Sequence, residues 1–255
     1  MRIITANLNG IRSAARKGFF DWLRTQNADV VCVQELKAQE PDLQDPALHL
    51  EGYHAHFHCA EKKGYSGVGI YTRTKPIQIK KGLGWHEADT EGRFVAVDLG
   101  KVWVASLYLP SGTSREERQV VKYDFLKKFE SHLQDIHRQG QEWIICGDWN
   151  IAHKQIDLKN WRSNQKNSGF LPDERAWMDK LFGELKFVDA FREVNQAAEE
   201  YTWWSNRGQA WAKNVGWRID YQIITPALKA AVSSATIYKN ERFSDHAPVV
   251  MEYTI

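Results

Sequence analysis

An aspartate and an asparagine follow the apolar run Trp143–Cys146, where a buried strand is expected to end. Gly147 bounds the run, which is typical of such a strand, and Asp148 and Asn150 come directly after it. If the chain stays extended, their side chains point to the same side and can orient a water or hold a hard cation. A turn whose side chains bind only local backbone groups explains this segment equally well.

Polar side chains of the same kinds border several other predicted strands. They are Asn7 and Asn9 near the first strand, Glu35 after Val30–Val33, Tyr108 after Val102–Leu107, Asp220 before Tyr221–Ile224, and Asp245 and His246 before the last strand. Each alone has an ordinary interpretation as a strand end, a turn or a half-buried aromatic. Their repetition favours one shared site, provided that these strand ends meet at one end of the fold.

Groups of these types suit the hydrolysis of a phosphodiester. Mg²⁺ prefers oxygen ligands and keeps several waters, so one or two carboxylates and the substrate phosphate would hold it. The reaction also needs an activated water and donors to the charge that develops on phosphorus. We expect Glu35 to be the leading metal ligand and Asp220 to orient His246. The remaining work would be divided among Asp148, Asn150, His246, Asn7 and Tyr108.

Composition restricts the class of protein. The 255 residues are 43% hydrophobic and include 11 Trp, which is enough for a large core without disulfides. The three Cys have unrelated spacings, which disfavours a zinc site or a disulfide framework. We see no apolar signal segment or membrane-spanning run, so we expect a soluble protein of a reducing compartment with no membrane partner.

Short β-branched runs outnumber the helical patterns along the chain. Helices are predicted at Phe19–Gln26, along the apolar stripe Val121, Phe125, Phe129 and Leu133, and from Pro172 onward. We find no linker or repeat, so we expect a single domain over residues 1–255. Many strands with a few helices predict two packed sheets with helices outside, an α/β sandwich whose core takes the apolar stripes.

Local charge is more informative than net charge, because Lys plus Arg (34) barely exceeds Asp plus Glu (32). Residues 73–81 and 203–218 each contain several basic side chains and no acid, and the second segment is rich in Trp. Cations meet phosphates and aromatic faces meet bases or sugars, so these segments suit nucleic acid. A solvated surface with ordinary aromatic packing is the alternative.

With these residues assembled, the chain resembles the endonuclease/exonuclease/phosphatase superfamily, and within it the exonuclease III-type apurinic/apyrimidinic (AP) endonucleases. Residues 147–150 and 244–246 match patterns shared with DNase I-like nucleases and with lipid and inositol phosphatases. These two motifs therefore do not indicate which substrate the protein acts on. The AP endonuclease branch is indicated by longer matches at residues 34–37, 64–69, 91–93, 164–170 and 213–221.

The resemblance implies a four-layered α/β sandwich, with two mixed β-sheets packed face to face and helices outside. It implies that Glu35 binds the catalytic Mg²⁺, for which Mn²⁺ could substitute, with Asn9 and Asp245 nearby. Asp148 with Asn150 would position or activate the water. His246, oriented by Asp220, would contact the scissile phosphate, supported by Asn7 and Tyr108. Either Asp148 or the His246–Asp220 pair could take the proton, and we favour Asp148.

The resemblance also implies a DNA surface and a pocket for a flipped-out abasic sugar. The DNA-contacting or site-lining residues would be Tyr65, Arg93, Asn164 and Asn167. Trp203, Trp217 and Ile219 would wall the pocket, with core packing as the alternative. Extruding a baseless nucleotide costs less than extruding a stacked one, which gives selectivity a physical basis.

Three positions depart from the pattern of some relatives. An acid stands in those relatives where this chain has Asn9, which weakens the case for Asn9 as a ligand. Some relatives insert two bulky or cationic side chains into DNA, whereas the corresponding loops here offer Ser114 and Arg207. The small Ser168-Gly169 rim favours, as a hypothesis, endonuclease cleavage over purely terminal processing.

We therefore predict a Mg²⁺-dependent DNA repair phosphodiesterase that cuts double-stranded DNA 5′ to abasic sites and also processes 3′-blocked ends or removes nucleotides 3′→5′. The alternative is mainly a 3′-exonuclease or 3′-phosphatase with weak abasic cleavage. The intact acid, amide and histidine set argues against a binding protein without catalysis, and the Trp-rich basic segments argue against a lipid phosphatase. We expect a monomer in the cytoplasm of a bacterium, at the nucleoid, because no nuclear-type basic tail is visible.

Overall fold

A computed structural model describes residues 1–113 and 116–255. In these residues the strands are β1 (Arg2–Asn7), β2 (Val30–Gln34), β3 (His54–His58), β4 (Val68–Thr72), β5 (Gln78–Lys81), β6 (Phe94–Asp98), β7 (Trp103–Tyr108), β8 (Trp143–Asp148), β9 (Val188–Asp189), β10 (Trp203–Trp204), β11 (Gly216–Trp217), β12 (Asp220–Ile224), β13 (Val232–Ile237) and β14 (Val249–Tyr253). The helices are α1 (Ile11–Arg16), α2 (Phe19–Thr25), α3 (His86–Asp89), α4 (Glu116–Gln139), α5 (Trp161–Asn164), α6 (Pro172–Gly183) and α7 (Ala190–Val194).

Two six-stranded mixed sheets form the centre of the fold. The first has the order β13-β14-β1-β2-β4-β3, and the second has the order β5-β6-β7-β8-β12-β9. The central pairs β1–β2 and β7–β8 are parallel, while the remaining pairs are antiparallel. The short ribbon β10–β11 lies outside both sheets.

The central strands are buried on both faces, which explains their unbroken apolar runs. Ile3 and Ile144 lie in the apolar layer between the sheets. The next residue of each strand, on the opposite face, packs outward: Ile4 with α1 and α2, and Ile145 with α4 and α6. The four layers confirm the predicted sandwich.

Strand register brings the polar strand ends to one edge. Asp148 lies opposite Tyr108 on one side and opposite Asp220 on the other. Asn7 ends the parallel strand β1, and β14, which begins three residues after His246, runs antiparallel to β1. The condition set by the sequence, that the polar strand ends meet, is satisfied.

The long helix α4 differs from its prediction at one residue. Phe125, Phe129 and Leu133 are buried as expected, but Val121 is 36% exposed and Lys122 is fully buried in its place. The prediction that Val121 belongs to the core was wrong, because Lys122 pairs with a carboxylate on α6. Among the described residues, no helix combines the length and apolarity needed to cross a membrane.

Candidate active site

Asp148 is the buried centre of the site. Its Oδ1 accepts a hydrogen bond from the backbone N–H of Asn150 over 2.9 Å, and its Oδ2 accepts one from Nδ2 of Asn7 over 2.9 Å. Asn150 has φ 52°, so the chain is not extended here as one prediction assumed. Residues 147–150 therefore form a local turn, and Asp148 in this turn is also part of the polar cluster. Both interpretations of this segment, a turn and a shared polar site, apply.

The turn depends on the two residues that flank Asp148. Gly147 has φ 152°, and a Cβ at this position would lie 1.9 Å from the carbonyl oxygen of Leu107 on β7. Trp149 is fully buried and packs its ring 5.8 Å from that of Phe129 on α4. Glycine is therefore required for the close approach of β7 and β8, and the tryptophan fixes the turn.

His246 lies between two carboxylates. Its Nδ1 is 2.8 Å from Oδ2 of Asp220, and its Nε2 is 3.9 Å from Oδ2 of Asp148. Burial lowers the pKa of His246, but Asp220, Asp148 and Asp245 raise it to about 10. Burial and the facing Asp220 carboxylate raise the pKa of Asp148 to about 7. The histidine is therefore held as an imidazolium at neutral pH.

Glu35 extends the cluster toward solvent. It has φ 50°, an uncommon conformation for glutamate, and its Oε1 accepts a hydrogen bond from Asn7 over 3.0 Å. One ligand atom from each of Glu35, Asp148 and His246 lies within 4.8 Å of the others. The ammonium of Lys37 lies 2.9 Å from Oε2 of Glu35, so a cation is already attracted to this carboxylate.

The donor set fits a hard divalent cation. Two carboxylates converge on a partly open position, and Mg²⁺ binds through one or two carboxylates while keeping waters and phosphate oxygens. A protonated His246 offers a donor rather than a lone pair, so it suits an anionic oxygen beside the cation. Glu35, whose side chain is more exposed than that of Asp148, is therefore the group best placed to hold a metal.

Asn9 and Asp245 lie beside this cluster and bind each other. Nδ2 of Asn9 donates to Oδ1 of Asp245 over 2.9 Å, and the indole N–H of Trp203 donates to Oδ2 over 3.1 Å. Burial would raise the pKa of Asp245, but His246 and these donors lower it. Asp245 is thus a carboxylate that links the cluster to Trp203.

Tyr108 forms another wall of the cluster. Burial and the nearby Glu35 carboxylate raise the pKa of Tyr108 well above its usual value, so the phenol stays neutral. The Arg93 guanidinium lies 4.9 Å from the ring centre of Tyr108 and donates to its carbonyl oxygen over 2.9 Å. Arg93 also donates to the Tyr65 hydroxyl over 3.0 Å and to Glu91 over 2.6 Å.

Arg118 completes this group from helix α4. It donates to the Tyr65 hydroxyl over 2.8 Å and to Glu91 over 3.1 Å, and its side chain is 27% exposed. Arg93 is only 1% exposed. The surface next to Tyr108 is thus presented by Tyr65 and Arg118, with Arg93 behind them.

A cavity of about 480 Å³ adjoins the cluster. Its aromatic and apolar walls are Trp203, Trp217 and Ile219. The two indole rings are 6.3 Å apart at 79°, and both are only partly buried. The rest of the lining includes Asn150, Asn167, Ser168 and Gly169. The structure brings the three predicted wall residues together beside Asn150, whose N–H holds Asp148.

The other predicted DNA contacts lie around this opening or on the surface. Asn167 donates to the side-chain oxygen of Asn164 over 2.7 Å, which ties the two amides together. Arg207 is exposed in the loop that follows β10. Ser114 lies outside the described residues.

Sequence reasoning did not assign Lys37, Glu91, Arg118, Lys122 or Glu174 to the site. Lys37 and Glu91 fall inside matched motifs, so a residue-by-residue comparison of those motifs could have found them. Arg118 and Lys122 carry no local signal, because their partners are far away in the sequence.

Fold and site together define a hydrolase of phosphate esters, and comparison with known proteins gives the class. The chain belongs to the endonuclease/exonuclease/phosphatase family, which it matches over residues 4–246. It is 38% identical over 251 residues to an exodeoxyribonuclease of Bacillus subtilis (strain 168), with 98% of each chain covered.

Solved structures place it more narrowly. An AP endonuclease from Archaeoglobus fulgidus superposes with a TM-score of 0.91 at 27% identity, over 100% of both chains. A 3′ phosphatase from Neisseria, bound to product DNA hairpin, superposes with a TM-score of 0.89 at 26% identity, also over 100% of both chains. The protein is thus a nuclease of the AP endonuclease and exodeoxyribonuclease III type, as the resemblance indicated.

Proposed function

We propose that this protein is a Mg²⁺-dependent DNA repair nuclease that cuts double-stranded DNA 5′ to an abasic site. One observation carries the proposal: the cavity and the catalytic cluster share residues. Asn150 lines the cavity and holds Asp148, and Trp203 walls the cavity and holds Asp245. A group seated in the cavity would therefore present its phosphate to Asp148 and His246.

The cavity suits a sugar that lacks a base. Trp203 and Trp217 offer aromatic surfaces, while Asn150, Asn167 and Ser168 offer hydrogen bonds to hydroxyl and phosphate oxygens. An abasic nucleotide leaves the duplex at lower cost than a stacked one. The combination supports selection of abasic sites by shape and by ease of extrusion.

The roles of the side chains follow from their protonation. Glu35 would hold Mg²⁺, for which Mn²⁺ would substitute, and Asp148 would stay free to act on the water. When bound, the metal ion would neutralise charge that develops on the phosphate. His246 donates from its imidazolium to a phosphate oxygen, aided by Asn7 and the neutral Tyr108 hydroxyl.

Asp148 is the better proton acceptor of the two candidates. Its pKa of about 7 lies near the working pH, which suits a general base. His246, with a pKa of about 10, already holds its proton and is not available to take another at neutral pH. The backbone N–H of Asn150 donates to Oδ1 of Asp148, which would orient the carboxylate toward an attacking water.

A second candidate is a 3′-exonuclease or 3′-phosphatase with weak abasic cleavage. The names of two similar proteins favour it: one is an exodeoxyribonuclease and one a 3′ phosphatase bound to product DNA hairpin. It would use the same cluster on a different DNA end.

Initial rates on two labelled duplexes separate the candidates. One duplex carries a single abasic site and the other carries a nick with a 3′-phosphate, each assayed with Mg²⁺ and with a chelator. Faster metal-dependent cleavage of the abasic duplex, at its 5′ side, supports the proposal, and faster removal of the 3′-phosphate supports the alternative. The monomeric state and the location at the bacterial nucleoid stay predictions.

A further inference from the structure

A charged pair lies fully buried behind the cavity. Nζ of Lys122 on α4 is 2.6 Å from Oε1 of Glu174 on α6, and both side chains are 0% exposed. Removing two such charges from water is costly, and apolar residues of similar size often replace them without loss of stability. The attraction between the two charges alone does not explain why the pair is buried. The other groups that Lys122 and Glu174 bind give a better explanation.

Lys122 binds the segment that holds the water-orienting side chain. Its ammonium donates a hydrogen bond to the carbonyl oxygen of Asn150 over 2.7 Å. On its other side, Asn150 donates its backbone N–H to Asp148 and its amide to the carbonyl oxygen of Leu109. Lys122 thus fixes this left-handed residue from behind.

Glu174 binds the opposite rim of the cavity. Its Oε2 accepts hydrogen bonds from the backbone N–H of Gly169 over 2.7 Å and of Leu171 over 3.0 Å. Gly169 packs so closely that an added Cβ would lie 3.2 Å from both the Asn150 carbonyl oxygen and the Trp217 ring. One ion pair therefore joins the rim at Gly169 to the turn at Asn150.

We propose that the Lys122–Glu174 pair is a positioning device, which sets the separation between the cavity rim and Asn150 and so aligns the bound phosphate with Asp148. Neither side chain is exposed to touch substrate, so both act through the residues that they hold. This inference rests on the proposed function of the same cavity. It adds two positioning residues that lie outside the catalytic cluster.

The double variant K122M/E174Q tests the proposal. The introduced glutamine retains an oxygen for Gly169 and Leu171, and the introduced methionine retains the length of lysine without its charge. The donor to Asn150 is therefore lost while no unpaired charge is buried. We expect kcat to fall about tenfold to 100-fold, as for a small misplacement of reacting groups, with KM unchanged. Urea unfolding of the same protein should show a similar midpoint.

The chain offers a matched control in K180M/E130Q. Lys180 on α6 and Glu130 on α4 join the same two helices with the charges exchanged, and the pair is partly exposed. This variant should keep the wild-type kcat and KM. If K122M/E174Q does not fold, E174D replaces it, because it keeps the ion pair, shortens the tether to Gly169 and should also lower kcat.

Wild-type kcat in K122M/E174Q, or in E174D where the double variant does not fold, overturns the inference even when the unfolding midpoint shifts, because a merely structural role gives that result. The assays use the faster of the abasic duplex and the 3′-phosphate nick as substrate. If the wild-type enzyme does not cleave the abasic duplex, the proposed function is wrong. The effect of the Lys122–Glu174 pair is then still measured on the duplex with the 3′-phosphate nick.

Discussion

Nδ1 of His246 donates to Oδ2 of Asp220 over 2.8 Å, and both side chains are buried. This contact fixes the ring so that the other nitrogen, Nε2, faces Asp148. The cluster thus contains two groups with different tasks. The protonated His246 would bind the phosphate, and the Asp148 carboxylate would act on the water.

Replacing Asp220 with asparagine should therefore lower both the rate and the pKa of His246. Without the carboxylate the imidazolium is less stable, and kcat should fall by about 100-fold. Since Asp220 raises the pKa of His246, its loss moves deprotonation of the ring to lower pH. The alkaline limb of the pH profile of kcat should shift downward, and an alkaline limb that does not move would show that His246 acts in another form.

Enlarging Ser168 should close the cavity to an abasic sugar. Ser168 lines the cavity beside Gly169 and Asn167, so Ser168→Trp fills the rim with an indole. The rate of cleavage of the abasic duplex should fall more than the rate of release of a 3′-phosphate. The same change at Ser233, exposed on β13, serves as the control and should leave both rates intact. An unchanged abasic rate in Ser168→Trp would count against the role of the rim.

Gly147→Ala should destabilise the fold at the turn. The added Cβ would lie 1.9 Å from the Leu107 carbonyl oxygen at a φ that suits glycine, so β7 and β8 must separate. We expect a loss of about 3 kcal/mol in the free energy of unfolding, measured by urea titration. Gly183→Ala, in helix α6 with open space around it, should instead be neutral or stabilising. Equal midpoints for the two variants would refute this account of Gly147.

Much of the fold was predictable because the central strands are buried on both faces and read as unbroken apolar runs. The strands β3, β5 and β13 were not predicted, since they lie at sheet edges and carry polar or exposed side chains. Edge strands lack the apolar pattern that marks central ones.

The sequence predicts those site residues that lie at the ends of strands. It does not predict a buried charged residue whose partner lies far away in the sequence. Asp148, Asp220 and Tyr108 become neighbours through strand register alone. Lys122, in contrast, lies one residue from an apolar stripe, and only its pairing with Glu174, 52 positions away, makes its burial possible. No local pattern signals such a pair.

The most direct test of the central claim is incision of one labelled duplex with a single abasic site by wild-type protein and by Asp148→Asn. The account predicts a metal-dependent product cut 5′ to the abasic site by the wild type. It predicts no turnover by the variant, with DNA binding largely kept. Full activity of Asp148→Asn in the presence of Mg²⁺ would contradict the assignment of Asp148 and with it the proposed site.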